Sequence, residues 1–279
     1  MKLLPVTAKS LPAIWAHLEG APNICDFSAG TIYMWKDFYK FSYGEKEGNL
    51  FIHSERENSY FPCWQCEAER HVEYLKNITG EQKLIISPVP EVLLDGYAKL
   101  GKAVELCGWA DYLYDAQEFI ELKGKKYHGK RNHIKNFVST YDYTFEPLNG
   151  DEREVIDFVS KLGQTAESCL AKYEVAATIS ALLCYDKLKL LSGVLRVEGK
   201  VAGITLGEIC GDTLIVHTER CDRNYDGIYE AVAHFFADKY AKNVKYINRE
   251  EDLGDEGLRR AKESWRPITL LKKYRVEID

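Results

Sequence analysis

From Leu188 onward, apolar and polar positions alternate in a pattern that predicts a meander. Residues 191–197 read as a strand, Glu198-Gly199-Lys200 as a tight turn, and 201–209 as the returning strand. Gly211-Asp212 marks a second turn before a third strand over 213–219. The period then changes. Ile228, Ala231, Val232, Phe235 and Phe236 recur at helical spacing, which predicts a helix running to about Ala241. A short buried strand is expected over 244–248, a basic helix over 257–264 and a last strand over 268–276. Trp265-Arg266-Pro267 ends that helix, because proline disfavours helical geometry in the residue before it. Upstream, Val155, Ile156, Val159 and Leu162 share one helical face, and Val175, Ala176, Ile179, Leu182 and Leu183 share another. The order α-α-β-β-β-α-β-α-β implies an α/β domain with a mixed sheet and helices on its faces.

The first half repeats that order. Strands are expected over 38–43, 49–54 and 59–64, then a helix over 68–77, a strand over 83–87, a helix over 90–100 and a strand over 103–107. Residue identity between the halves is poor, so the repeat is one of element order. The expectation is two tandem α/β domains, over 1–120 and 151–279, joined by a basic linker over 121–150.

Composition narrows the class. The 279 residues are 46% hydrophobic and 29% charged, within the soluble globular range and sufficient for a sizeable core. Eighteen Tyr, 11 Phe and 5 Trp exclude disorder as the dominant state. A net charge of −6 gives no reason to expect a general nucleic-acid binder, and leaves room for a local basic patch. No apolar run approaches the roughly 18 residues of a membrane helix. Pro5, Lys9 and Pro12 interrupt the N-terminus early, so no signal peptide is read and the cytoplasm is the expected compartment. The eight cysteines are scattered, and no disulfide framework is expected.

Three stretches carry a resemblance: residues 122–132 (Leu-Lys-Gly-Lys-Lys-Tyr-His-Gly-Lys-Arg-Asn); His217-Thr218-Glu219 with residues 222–229; and residues 248–259 through Trp265-Arg266-Pro267. Through them the sequence resembles the phosphatidylglycerol lysyltransferase C-terminal domain family, over nearly its whole length. That family is similar to tandem GNAT acyltransferase domains and is related to the Fem peptidoglycan aminoacyltransferases. The resemblance implies two GNAT-like domains, each a mixed, mostly antiparallel sheet with helices on both faces. It implies transfer of an acyl or aminoacyl group to an amine or hydroxyl, with acyl-CoA or aminoacyl-tRNA as donor substrate and no tightly bound cofactor. The lysyltransferases carry a membrane-spanning part ahead of this domain, and none is read in this sequence, so a small-molecule or peptide acceptor stands beside a lipid headgroup.

Four groups of residues could carry that chemistry. The segment 221–229 lies where a GNAT enzyme binds the donor pyrophosphate on a helix N-terminus. Arg223, Tyr225, Gly227 and Ile228 are the candidate donor contacts, although only one glycine is present and Asp222 and Asp226 add negative charge. His217 and Glu219, two apart on a strand, are expected on one face, and Glu208 of the preceding strand could reach the same area. All three are candidates for proton transfer or amine positioning. Asn248, Arg249, Glu250 and Asp252 follow a buried strand. Arg249 suits a carboxylate or phosphate, and the acids suit an ammonium. The alternative for this group is an internal ion-pair network with Arg259, Arg260 and Lys262.

The fourth group is a basic run. Residues 123–135 hold six Lys/Arg and two His with no acid. Lys125, Lys126, Lys130 and Arg131 are candidates for phosphate, on a tRNA acceptor stem or on CoA. A solvated linker face is the alternative. Cys63-Trp64-Gln65-Cys66 lacks two further zinc ligands and is read as structural, and no metal is expected. Three functions stay open: an acyl- or aminoacyltransferase, a degenerate GNAT module that binds tRNA or a small molecule without turnover, and an acetyl-CoA-dependent N-acetyltransferase.

Overall fold

A computed structural model of the chain describes residues 3–164 and 169–279. In chain order the first part runs β1 (Leu4–Pro5), α1 (Leu11–Leu18), α2 (Ala29–Tyr39), β2 (Phe41–Lys46), β3 (Asn49–Ser54), β4 (Ser59–Tyr60), α3 (Ala68–Thr79), β5 (Leu84–Pro90), α4 (Glu91–Ala98) and β6 (Lys102–Glu105). It continues through β7 (Asp111–Asp115), α5 (Ala116–Glu121), α6 (His128–Thr140), β8 (Tyr143–Glu146), α7 (Glu152–Gly163), α8 (Cys169–Leu183) and α9 (Tyr185–Leu188). The last part is β9 (Leu191–Val197), β10 (Lys200–Cys210), β11 (Thr213–Cys221), α10 (Ile228–Tyr240), β12 (Tyr246–Asn248), α11 (Glu256–Glu263), β13 (Thr269–Leu271) and β14 (Lys273–Ile278).

The chain forms two compact units. The first comprises residues 1–111, 251–256 and 270–279, and the second 112–250 and 257–269. Each contains a seven-stranded sheet: β1-β2-β3-β4-β5-β14-β6 in the first, β13-β7-β12-β11-β10-β9-β8 in the second. Pairing is mostly antiparallel. The parallel pairs recorded are β4 with β5 and β11 with β12, each flanking the single helix that a parallel crossover requires. The expected repeat of element order is therefore present.

The expected domain bounds differ from these units for one reason. The last strand of each half does not pair as its position in the chain suggests. β14 lies between β5 and β6, and β7 lies against β12. The single strand expected over 268–276 is two strands in two sheets. The expected linker over 121–150 is instead built into the second unit and includes all of α6 and β8.

Local chemistry explains the element ends. Ser28 caps α2 by accepting the Thr31 N–H at 3.1 Å, and Asp115 caps α5 by accepting the Glu118 N–H at 2.8 Å. α2 carries the chain through Phe38 and Tyr39, which were expected to begin a strand, and Lys40 in the left-handed region ends it. On α8 the buried positions are Ala177, Thr178, Ala181 and Leu182 rather than the full expected face, and Leu183 is 75% exposed. The first unit packs one core around Ile86, Val89 and Val276 and another around Ile14, Ile32 and Ile52. The second unit packs one around Tyr114, Phe119 and Phe236 and another around Phe137, Leu195 and Val232. Among the described residues, no helix is long and apolar enough to cross a membrane.

Candidate functional site

The site candidates gather on β10, β11 and β12 of the second unit, but a register shift separates them. Leu206 pairs with Thr218 and Gly207 with Val216, leaving His217 as an extra residue in β11. Such a bulge changes which face later residues take. Glu219 pairs with Thr205 and so stands on the face of Val216, whereas Glu208 pairs with Ile215 on the opposite face. The expectation that His217 and Glu219 share a face is thereby overturned. Gly207 permits the local closeness, since a Cβ there would lie 2.4 Å from the Ile215 carbonyl oxygen.

On one face the His217 ring is held between two carboxylates. Nε2 lies 2.9 Å from Glu208 Oε1 and Nδ1 lies 2.9 Å from Glu250 Oε1. The side chain is 1% exposed. A ring that faces an acceptor on each nitrogen donates from both, which requires the imidazolium. Burial alone would lower its pKa, but hydrogen bonds and charge from Glu208 and Glu250 outweigh burial and raise it to about 10. A cation with both protons engaged cannot take a proton from an attacking amine. This triad ties β11 to β10 and to the loop after β12.

On the other face, Glu219 pairs with the Arg249 guanidinium. Arg249 lies over Phe119 and Trp265, its centre 5.8 and 5.5 Å from the two ring centroids, and these rings stack on one another at 4.2 Å. Lys130 of α6 sits 4.7 Å above the same Trp265 ring and pairs with Glu230 at 3.2 Å. Burial lowers the Lys130 pKa, with Glu230 opposing. Two guanidinium nitrogens of Arg249, Nε and Nη1, are buried without a hydrogen-bond partner. Buried donors of this kind carry a desolvation cost of about 1–3 kcal/mol until something accepts from them. The backbone around Arg249 is fixed by Lys262, whose ammonium donates to the Arg249 carbonyl at 2.6 Å. Lys262 thus holds the Arg249 backbone by a hydrogen bond, while the Arg249 side chain turns to Glu219. Asn248 is buried and its Oδ1 accepts the Glu250 N–H at 2.8 Å. Asp252 belongs to the first unit, where it accepts the Gly254 N–H at 2.8 Å and closes a turn.

The loop expected to hold a donor pyrophosphate has its amides engaged internally. The Asn224 N–H goes to the Asp222 carboxylate at 3.0 Å, that of Tyr225 to the Asp222 carbonyl at 3.3 Å, that of Asp226 to the Tyr141 hydroxyl at 3.3 Å, and that of Ile228 to the Tyr225 carbonyl at 3.3 Å. Ile228 is buried in the core, and Arg223 is exposed. Gly227 has φ +79° and packs so closely under α6 that a Cβ would lie 2.5 Å from the His133 carbonyl oxygen. Its glycine is explained by that packing.

The basic run is divided. Lys126 pairs with Glu118 at 2.6 Å and Lys123 with Glu121 at 2.8 Å, acids that lie just outside the run. Arg131 donates to the Leu122 carbonyl and, at 2.7 Å, to that of Gly124, closing the end of α5. Lys125 and Lys135 are exposed. The aromatic shelf of Phe119 and Trp265 and the role of Glu230 were missed in the sequence, because nothing local marks residues so far apart as neighbours.

Two tandem, mostly antiparallel seven-stranded sheets with helices, the second carrying a charged site on β10 to β12, define a tandem GNAT-like fold. The model of the family described as "Phosphatidylglycerol lysyltransferase, C-terminal" matches residues 21–277, and the chain belongs to that family. It is therefore an aminoacyl-transferase-like GNAT protein. Among solved structures it is similar to a conserved protein of unknown function from Bacteroides thetaiotaomicron VPI-5482, at 28% identity and TM-score 0.92 over 100% of both chains. It shares its fold with L-PGS from Bacillus licheniformis, at 15% identity and TM-score 0.69, covering 98% of this chain and 92% of that one. It also shares the fold of a tandem GNAT protein from the clavulanic acid biosynthesis pathway, at 8% identity and TM-score 0.51, covering 99% and 98%. A curated relative, the uncharacterized protein MYCGA3080 of Mycoplasmoides gallisepticum, is 21% identical over 175 residues, 60% of this chain; the match spans 56% of that relative's length.

Proposed function

We propose that the chain transfers an aminoacyl group from aminoacyl-tRNA to an amine or hydroxyl acceptor by direct attack. The observation that carries this reading is the buried Arg249 with two guanidinium N–H groups unpartnered beside Glu219. In the proposed reaction the acceptor nitrogen or oxygen forms a bond to the ester carbonyl carbon. The ester C–O bond then breaks, and the proton lost by the acceptor ends on the departing ribose oxygen. Arg249 donates to the carbonyl oxygen as negative charge develops there, and Glu219 orients the acceptor. Lys130 adds positive charge at the same shelf, while Lys125 and Lys135 contact the tRNA backbone. His217, Glu208 and Glu250 hold the strands in register, and Asn248 the turn after β12.

Aminoacyl-tRNA is preferred to acyl-CoA because the loop amides of Asn224, Tyr225, Asp226 and Ile228 already have acceptors and two acids adjoin them. Calorimetric titration separates the donors. The reading expects no heat with acetyl-CoA and saturable binding of lysyl-tRNA; micromolar acetyl-CoA binding with no tRNA binding would overturn it.

A second reading, a tRNA- or small-molecule-binding module without turnover, draws on one observation: His217 and Glu219 are both engaged by charged partners. Glu219→Gln distinguishes the two. A transferase loses turnover with donor affinity kept, whereas a binding module has no turnover to lose.

A further inference from the structure

Cys63-Trp64-Gln65-Cys66, read from the sequence as structural, brings two free thiols together just ahead of α3 in the first unit. Their sulfurs lie 3.5 Å apart. Cys63 is buried, with its Sγ 3.6 Å from the Asn49 amide oxygen and its N–H donating to the Tyr97 hydroxyl at 2.8 Å. Cys66 is half-buried and so within reach of a dissolved reagent. The first turn of α3 is closed from the His71 N–H to the Glu67 carbonyl at 3.0 Å, beyond Cys66. The Cys66 side chain can therefore turn without opening the helix. Bonded sulfurs stand about 2 Å apart, so a shift of about 1.5 Å closes the present gap.

Two other readings of the pair fare worse. A metal needs further ligands. Among the described residues, the one group of three or more His, Cys, Asp or Glu spaced for a metal is Cys25, Asp26 and Asp111, which includes neither thiol. A catalytic disulfide donor needs a thiolate that its surroundings stabilise, because that stabilises the reduced form. Here burial pushes the Cys66 thiol up to about 12, and the adjoining Cys63 sulfur adds to the rise. Ionisation therefore does little for the reduced form, and a disulfide once closed is retained rather than passed on.

We propose that Cys63 and Cys66 are a thiol–disulfide exchange site, closed to an intrachain disulfide by a small-molecule disulfide of the glutathione type and reopened by its thiol. The Cys66 sulfur, having lost its proton, attacks one sulfur of the oxidant. The oxidant's S–S bond breaks, and the departing thiolate takes up a proton. The Cys63 sulfur, likewise deprotonated, then attacks Cys66 Sγ, and the second thiolate leaves and is protonated. The two cysteines are oxidised, and one small disulfide is reduced to two thiols. Trp64 lies within the closed ring and packs on Phe27 at 4.6 Å between centroids, so closure reaches the core of the first unit. The inference is independent of the transfer chemistry assigned to the second unit.

The full chain is equilibrated in mixtures of reduced and oxidised glutathione, starting once from reduced chain and once from chain oxidised with diamide. It is then acid-quenched, alkylated, digested with trypsin and weighed by mass spectrometry. Both cysteines fall in one tryptic peptide, residues 57–70, which holds no other cysteine. That peptide is expected unalkylated and about 2 Da lighter than its dithiol. At about 1 mM reduced glutathione, half-closure is expected at least about tenfold below the oxidised glutathione that half-labels Cys66 in Cys63→Ser, because the second sulfur is already in place. Where that variant fails to fold, the wild-type peptide decides alone. A peptide alkylated on both cysteines in every mixture, from either start, would overturn the proposal. So would a stable glutathione adduct on Cys66 of the unaltered chain, or a disulfide joining Cys66 to another peptide.

Discussion

His217 offers the sharpest physical consequence of the site geometry. Its pKa is raised from 6.5 to about 10 by two carboxylates that outweigh its burial. A group whose pKa is higher folded than unfolded stabilises the fold fully below the unfolded value, and that stability is lost as pH rises through the folded value. The window is therefore pH 6.5 to about 10. A shift of this size corresponds to a ceiling of about 5 kcal/mol at about 1.4 kcal/mol per unit. Within the window, one extra proton bound in the folded state lowers stability by about 1.4 kcal/mol for each pH unit gained. Urea unfolding at pH 7 and pH 9 should thus differ by about 2–3 kcal/mol in the wild type. His217→Gln should lose most of that slope. Imidazole NMR titration reads the same ring directly, whether or not the variant folds, and should find one histidine still protonated at pH 8. A ring titrating near 6.5, or an equal slope in wild type and a folded variant, would refute the reasoning. Turnover should likewise show no ionisation of this histidine near neutral pH.

Other outcomes follow from the same geometry. Gly227→Ala places a Cβ 2.5 Å from the His133 carbonyl at φ +79°, so thermal unfolding should show a loss of about 2 kcal/mol or more; an unchanged melting temperature would mean α6 and α10 do not pack this way. Arg249→Lys keeps the charge and removes the fork, so turnover should fall by about a hundredfold with the fold intact, as read in single-turnover assays. Lys125→Glu with Lys135→Glu should weaken tRNA binding and flatten its salt dependence by about two counterions in filter binding, leaving melting unchanged.

The meander of β9, β10 and β11 and the helix α10 were legible because alternation and helical spacing are local signals, and Ile228, Ala231, Val232 and Phe236 are buried as their spacing requires. The exchange of final strands was not legible. The edges of β5 and β12 accept any strand of suitable pattern, and Ile268-Thr269-Leu270-Leu271 gives no sign that its continuation pairs in another sheet. The bulge at His217 was equally hidden, since Val216-His217-Thr218-Glu219 alternates without a glycine or proline to mark it. Arg249 was legible as an anion-binding type of residue, but its shelf was not, because Phe119 and Trp265 reach it only through the folded chain. The basic run read as uncompensated because Glu118 and Glu121 lie just upstream of it and Glu230 lies far downstream.

The central claim is aminoacyl transfer from tRNA at the Glu219–Arg249 site. Its most direct measurement is a single-turnover assay with lysyl-tRNA carrying labelled lysine, an excess of chain, and a panel of amine and hydroxyl acceptors. The account predicts label moving from tRNA to an acceptor with the wild-type chain, and no transfer with Arg249→Ala while lysyl-tRNA still binds. Label remaining on tRNA with every acceptor, together with acetyl transfer from acetyl-CoA by the same preparation, would contradict it.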